Sequence, residues 1–230
     1  TRRAAPSGAE CAHRSTSTRY SCYEPPGGMS ARATWELPLV STRIVTERLA
    51  MRPPRPNDVP ELRRAMRKND AHLRPWSVAP AAGEDPASLA AVSGAVLRHR
   101  REWKRGQAFV LLIVPQEDDH RVIGRVALGG VLRGAFQNAY LGYWLDRDYQ
   151  GRGLMTEAVR ATTFFAFTSA RLHRVQAAVM PRNHASLRVL EKLGYRREGL
   201  AERYLCIAGK WEDHILLAAT AEEWEARGLL

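Results

Sequence analysis

Three observations in the sequence predict an α/β protein in which a mixed β-sheet is flanked by helices. The first is a glycine-flanked turn, Gln150-Gly151-Arg152-Gly153-Leu154-Met155, set between an apolar run at 140–145 and a helical run at 156–168. The second is the strand-like segment 174–180, which leads directly into a helical segment at 184–193. The third is a late pair of strand-like runs, 200–207 and 211–219, joined as a hairpin around Ala208-Gly209.

The elements before the turn follow in order. A first strand is expected near 43–52. Asp58-Val59-Pro60-Glu61 then has the carboxylate cap, early proline and glutamate of a helix start, with Leu62, Ala65 and Met66 on one face. Asp85-Pro86 is expected to start a second helix, whose apolar positions Leu89, Val92, Val96 and Trp103 run toward a stop at Gly106. Residues 108–114 are continuously apolar, as a strand covered on both faces requires. Pro115-Gln116-Glu117-Asp118-Asp119 turns the chain into a strand at 121–131, and another strand follows at 139–145.

The chain has 230 residues, enough for one domain with a real core. Residues 1–40 are rich in Ala, Ser, Thr, Arg, Gly and Pro and poor in large aliphatics, which predicts a disordered extension. The folded domain is expected over 41–222, with a short tail at 223–230. Residues 1–28 read either as a segment foreign to the native protein or as a basic arm touching RNA. The net charge of +11 comes from 35 basic and 24 acidic side chains, and all the basic ones except Lys68, Lys104, Lys192 and Lys210 are arginine. Most of the excess lies after residue 40, where it favours anionic ligands and surroundings such as ribosomal RNA. Cys11, Cys22 and Cys206 show no paired spacing, which argues for a reducing compartment and against a disulfide scaffold or a metal site. No apolar run approaches the roughly 20 residues needed to cross a bilayer. The reading is a cytoplasmic protein without a membrane partner; its oligomeric state is not legible.

The turn at 150–155 reads as a pyrophosphate cradle. A glycine turn entering a helix leaves backbone N–H groups without intrahelical partners at the helix's positive end, and glycine lets phosphate oxygens approach without meeting a Cβ. Other phosphate loops fit poorly, because no Lys-Ser/Thr follows the last glycine and the G-x-G-x-x-G spacing is absent.

Gln150, Gly153, Asn183, Lys192 and Gly194 fall on the pattern of the GNAT acetyltransferase superfamily, which the sequence resembles. Within it, 141–145, 150–155, 183–195 and Trp211-Glu212-Asp213-His214 are similar to the branch of ribosomal-protein alanine N-acetyltransferases RimJ and RimL, RimJ more than RimL. Thr46-Glu47-Arg48-Leu49 and His72-Leu73-Arg74-Pro75-Trp76 also look like that branch, so the resemblance spans about 42–220.

The resemblance implies the GNAT fold, a mixed, mostly antiparallel sheet with two central strands splayed apart, and acetyl-CoA as co-substrate with no metal. Trp144 and Leu145 would supply the strand edge for the pantetheine arm. Gln150, Gly151, Arg152, Gly153, Leu154 and Met155 would hold the diphosphate, with Asn183 and Lys192 as further cofactor contacts. Met155 stands where the wider family has Gly or Ala. Leu190 stands where many members carry a tyrosine that protonates the leaving thiolate, so Ser186, one turn after Asn183, becomes the candidate acid. Asn183 is in any case a good N-cap. A protein α-amino group titrates near ~8, so a water chain would suffice as base, with Glu202, Tyr204, Asp213 and His214 as members. Tyr140 and Tyr143 read as sheet packing. Trp76 and Tyr204 would line a pocket for the acceptor, an N-terminal alanine of a small-subunit ribosomal protein. Acetylation of a small amine, or a ribosome-assembly role without turnover, are the competing readings.

Overall fold

The computed structural model describes residues 36–230, so residues 1–35 of the extension expected at 1–40 lie outside the described residues. These residues form one eight-stranded sheet in the order β1-β2-β3-β4-β5-β6-β8-β7. The strands are β1 (Ile44–Val45), β2 (Leu49–Arg52), β3 (Phe109–Pro115), β4 (Gly124–Leu132), β5 (Asn138–Leu145), β6 (Arg174–Val179), β7 (Arg196–Ile207) and β8 (Lys210–Thr220). Neighbours are antiparallel except β5 and β6. The helices are α1 (Val59–Leu73), α2 (Leu89–Lys104), α3 (Leu154–Thr168), α4 (His184–Lys192) and α5 (Ala221–Ala226).

Strand alternation divides the core. Phe109, Leu111 and Ile113 of β3 and Val126 and Leu128 of β4 share a cluster with α3 and α4, while Leu112 and Val114 meet Ala65 and Leu62 of α1. β3 is therefore buried at every position, which is why its sequence is continuously apolar. α2 packs on α1 through Val92, Val96 and Val59. Trp103, at the end of α2, stacks edge-on against Phe109 at 5.0 Å and lies 5.8 Å from Phe165. No helix among the described residues is long and apolar enough to cross a membrane.

Several sequence-based boundaries move. Residues 37–40 do not belong to an extension: Leu37 and Val40 pack on the core, and the Trp103 indole donates to the Pro38 carbonyl at 2.7 Å. The strand expected at 43–52 is a hairpin, β1 turning through 46–48 into β2, with Ile44 opposite Met51. The carboxylate of Asp58 makes no cap bond to α1, because it accepts the Arg52 guanidinium and the Arg55 N–H of the turn before it instead. A full charge partner is worth more than a peptide N–H. α2 starts at Leu89 rather than at Asp85-Pro86, capped by Ser88, whose hydroxyl accepts the Ala91 N–H; Leu89 is exposed. The segment expected as a tail carries α5, capped by Thr220 in a reciprocal pair with Glu223, and Trp224 is fully buried.

Candidate active site

β5 and β6 pair over only three positions, Asn138–Arg174, Ala139–Val175 and Tyr140–Gln176. β5 continues to Leu145 and β6 to Val179, so the two strands part from Leu141 and Ala177 onward. Their C-terminal ends lead into α3 and α4, which places both helix N-termini at the open end of the split. Along β5, Leu145 is buried in the core and Trp144 packs against the α1 cluster. Each therefore has only its backbone to offer the gap.

The turn after β5 supplies the expected cradle. Gly151 and Gly153 have φ values of 74° and 77°, left-handed conformations that suit glycine, and Gly153 caps α3. A Cβ at Gly151 would meet nothing within 4 Å. Among the described residues, the N–H groups of Gly151 through Thr156 donate to no protein acceptor; the first bonded amide is Glu157, to the Gly153 carbonyl. Six successive donors at a helix N-terminus fit a diphosphate. Leu154 and Met155 turn their side chains into the core, so they face the cradle with backbone alone. Met155 is accommodated because its side chain points inward.

The side chains around the cradle are braced by contacts to Thr46, Arg48, His72 and Glu157, to which the sequence reading gave no role in the site. Arg48 donates to the Arg152 carbonyl at 2.8 Å and to Glu157 at 2.7 Å through Nε, while Glu157 also accepts the Thr46 hydroxyl at 2.6 Å. Burial pushes the Glu157 carboxyl up, but these hydrogen bonds outweigh it and hold the carboxyl below its ordinary value. Arg152 is turned back, donating to the Asp148 carbonyl at 2.9 Å with its guanidinium over the Tyr149 ring. The Gln150 amide meets the His72 ring at 2.7 Å, tying the turn to the end of α1. Thr46, Arg48 and His72 lie in segments that carried the family resemblance; nothing in their spacing points to Glu157 or Gln150.

Across the split, the Asn183 side chain accepts the Ser186 N–H at 3.1 Å and caps α4. The Ser186 hydroxyl lies 2.8 Å from the Tyr143 hydroxyl. Tyr143, read from sequence as sheet packing, thus reaches over the gap to α4. Burial pushes its phenol up to about 12, so it stays protonated near neutrality. Leu190 is fully buried. Lys192 is exposed in the last turn of α4, about 13.5 Å of helix from Asn183, and α4 runs away from the split. Lys192 thus stands at the opposite end of α4 from Asn183.

The far rim of the split is the β7–β8 hairpin. The Ala208 N–H donates to the Ser77 carbonyl at 3.0 Å, linking the hairpin to the turn at Arg74–Trp76. The Arg182 guanidinium covers the Trp76 ring at 5.0 Å and pairs with Glu212 at 2.9 Å. Tyr204 lies against His214, ring centroids 5.7 Å apart, and the His214 Nδ1 is 2.9 Å from the Glu212 carbonyl. Asp213 accepts the Arg203 N–H at 2.8 Å. Trp76 and Tyr204 both stand along this rim, each with a partner of its own.

A parted pair of parallel strands ending in a row of free helix amides fits an acyl-CoA-dependent acyltransferase. The profile of the acetyltransferase (GNAT) domain matches residues 48–196, and the chain belongs to that family. It is 34% identical over 185 residues to the [ribosomal protein uS5]-alanine N-acetyltransferase of Escherichia coli (strain K12), covering 79% of this chain and 92% of that one. It is 52% identical over 100 residues to the probable N-acetyltransferase YjcK of Bacillus subtilis (strain 168), a match that spans only 44% of this chain and 55% of the relative. The solved structure of Mycobacterium smegmatis RimJ in complex with CoA-disulfide superposes with a TM-score of 0.70 at 32% identity, covering 78% of this chain and 89% of that one. The chain is an N-acetyltransferase that uses acetyl-CoA, and the free amides of 151–156 are where its own residues fit that co-substrate.

Proposed function

We propose that the chain acetylates the α-amino group of a protein N-terminus, an alanine on a small-subunit ribosomal protein. The observation that carries the reading is the split between β5 and β6, with the row of free amides at one end and the rim formed by Arg74–Trp76 and the β7–β8 hairpin beside it. The relative that acts on ribosomal protein uS5 covers most of the chain, which supports this acceptor. The positive charge of the chain supports encounters near ribosomal RNA.

Acetyl-CoA, when bound, supplies an activated acetyl group on a thiol leaving group. The backbone N–H groups of Gly151 to Thr156 would hold its diphosphate, and Arg48, through the Arg152 carbonyl and Glu157, would keep the loop in shape. Ser186 Oγ would donate a proton toward the sulfur, with Tyr143 holding that hydroxyl in place. The acceptor amine needs little help to become neutral, since its pKa is near ~8. Trp76 and Tyr204 would border the acceptor's first side chain.

The test is a panel of short peptides differing only at residue one, assayed for coenzyme A release beside small amines and free amino acids. Alanine-first peptides should lead, and Ser186→Ala should lower kcat by on the order of 10²-fold or more while acetyl-CoA binding holds. Turnover of small amines with every peptide inert would sink the protein acceptor. A kcat change under about tenfold would leave Ser186 as a helix-start serine only.

A further inference from the structure

On the α2 side of β3 and β4 lies an open cavity of about 450 Å³, lined by Arg98, His99, Glu102, Arg125 and the Gly129-Gly130 bulge. Arg125 is half-buried, yet its Nε is sealed from solvent and donates to no protein group. Among the described residues it has no carboxylate partner. Arg98 is answered by Glu102 at 3.9 Å, so Arg125 is the uncompensated cation of the cavity. Its field is felt nearby: burial, then the charges of Arg125 and Arg98, hold His99 down to about 4, neutral near pH 7. A sealed donor on a half-buried cation with no anion beside it is costly, and an anionic ligand would supply the missing partner.

The cavity's position says which ligand. Arg125 is directly opposite Trp144, Ala127 opposite Gly142 and Gly129 opposite Tyr140, so these residues share one face of the sheet. β5 is the strand that borders the split. On that face Gly142 and Tyr140 are exposed, whereas the other face is covered by α3 and α4. Arg125 stands one strand, roughly 5 Å, from the edge of the split.

We propose that Arg125, with Arg98 and His99 beside it, binds a carboxylate of the acceptor, an acidic side chain within the first few residues after the acetylated amine. A carboxylate fits better than a phosphate because Glu102 in the same wall leaves a single positive charge to satisfy. The inference rests on the protein-acceptor reading, and its test separates the two.

Alanine-first peptides carrying Glu or Gln at each of positions two to five are compared by KM and kcat with the full chain, and their N-acetylated products by calorimetry. At one position the Glu peptide should have a KM about tenfold lower, and its product should bind correspondingly tighter, a gain characteristic of a charge-assisted hydrogen bond. Arg125→Met should collapse that ratio toward one without lowering the Tm, because it removes a half-buried charge that has no partner. Arg125→Lys, which keeps charge but loses the planar fork, should fall between. Equal Glu and Gln values in the unaltered protein would overturn the proposal, as would a ratio that survives Arg125→Met. A fall in acetyl-CoA affinity in Arg125→Met with the peptide ratio intact would overturn it too, by giving the cation to the co-substrate. Inert peptides beside acetylation of free glutamate with an Arg125-dependent KM would keep the carboxylate site and remove the protein acceptor.

Discussion

Two polar regions at opposite ends of β2 use their hydrogen-bonding groups in contrary ways. At Arg52 every group is answered from within the chain: Asp58 accepts two bonds at 2.7 and 2.8 Å, the Asp119 carboxylate takes Nε at 3.0 Å, and the Asp119 carbonyl takes Nη2 at 2.7 Å. At 151–156, six amides in succession are answered by nothing in the described chain. Arg48, only four residues before Arg52, belongs to the second region, yet it braces the loop from behind through Glu157 and leaves the amides open. The difference separates polar groups that fix the fold from polar groups kept for a ligand, and it predicts that mutations in the two regions move different observables.

The largest effect should come from Arg52→Ala. The guanidinium is 2% exposed and Asp58 7%, so removing the arginine strands a buried carboxylate. Loss of one partner of a buried pair costs about 3–5 kcal/mol. Denaturant unfolding should show this loss, while the fraction still folded binds acetyl-CoA as before. A loss under about 1 kcal/mol would mean that water reaches Asp58 and that the network is not a structural clamp.

Next in size is Gly153→Glu, which should leave most stability in place and weaken acetyl-CoA. Each charge-assisted bond lost is worth about 1.5–3 kcal/mol, at least tenfold in affinity. A side chain at Gly153 starts 3.6 Å from Arg48 Nη2, so the new carboxylate would compete with Glu157 for the brace as well as repel phosphate. Gly153→Ala carries the backbone strain of a positive φ, about 1–2 kcal/mol, without the charge. Calorimetry on both variants separates the contributions. An unchanged affinity in folded Gly153→Glu would place the diphosphate away from this loop.

The contrast between the regions also marks what the sequence could disclose. β3, the glycine cradle, the Asn183 cap and the terminal hairpin are legible because each is written in one continuous stretch of chain, in periodicity, capping or turn chemistry. The Arg52 clamp joins residues 67 apart, the Arg48–Glu157 brace 109 apart and the Tyr143–Ser186 pair 43 apart. No local rule selects such partners. Asp58 shows a conflict at short range, since its position reads as a cap for α1 and its carboxylate is taken by Arg52, six residues earlier at the end of β2. Arg125 was the least legible, because its meaning lies in the absence of a nearby carboxylate, a property of the packed fold. Lys192 satisfied a sequence pattern too, and it stands at the end of α4 opposite Asn183.

The smallest effect is a pH dependence confined to the clamp. Burial pushes Asp119 up, but hydrogen bonds from Arg43 and Arg52, the Arg52 charge and a bond from Arg55 outweigh it and hold the carboxyl down at about 2. An unfolded aspartate titrates near ~3.9. Because the folded value is the lower one, the stabilisation is fully present above pH ~4 and is lost as pH falls toward 2. Asp119 is 30% exposed, and Arg43 and Arg55 are more so, so solvent and salt screen much of the gain. Glu157 and Asp146 are also held low, so the acid limb of the unaltered protein mixes several groups, and the informative quantity is the difference from Asp119→Asn. That variant should be less stable at pH 6, with the gap narrowing between pH ~4 and 2 and shrinking further in high salt. Its acetyl-CoA affinity at neutral pH should match the unaltered protein, since the clamp does not touch the cradle. Stability curves that run parallel from pH 6 to 2 would show that Asp119 titrates alike in both states and would confine the clamp to Arg52 and Asp58.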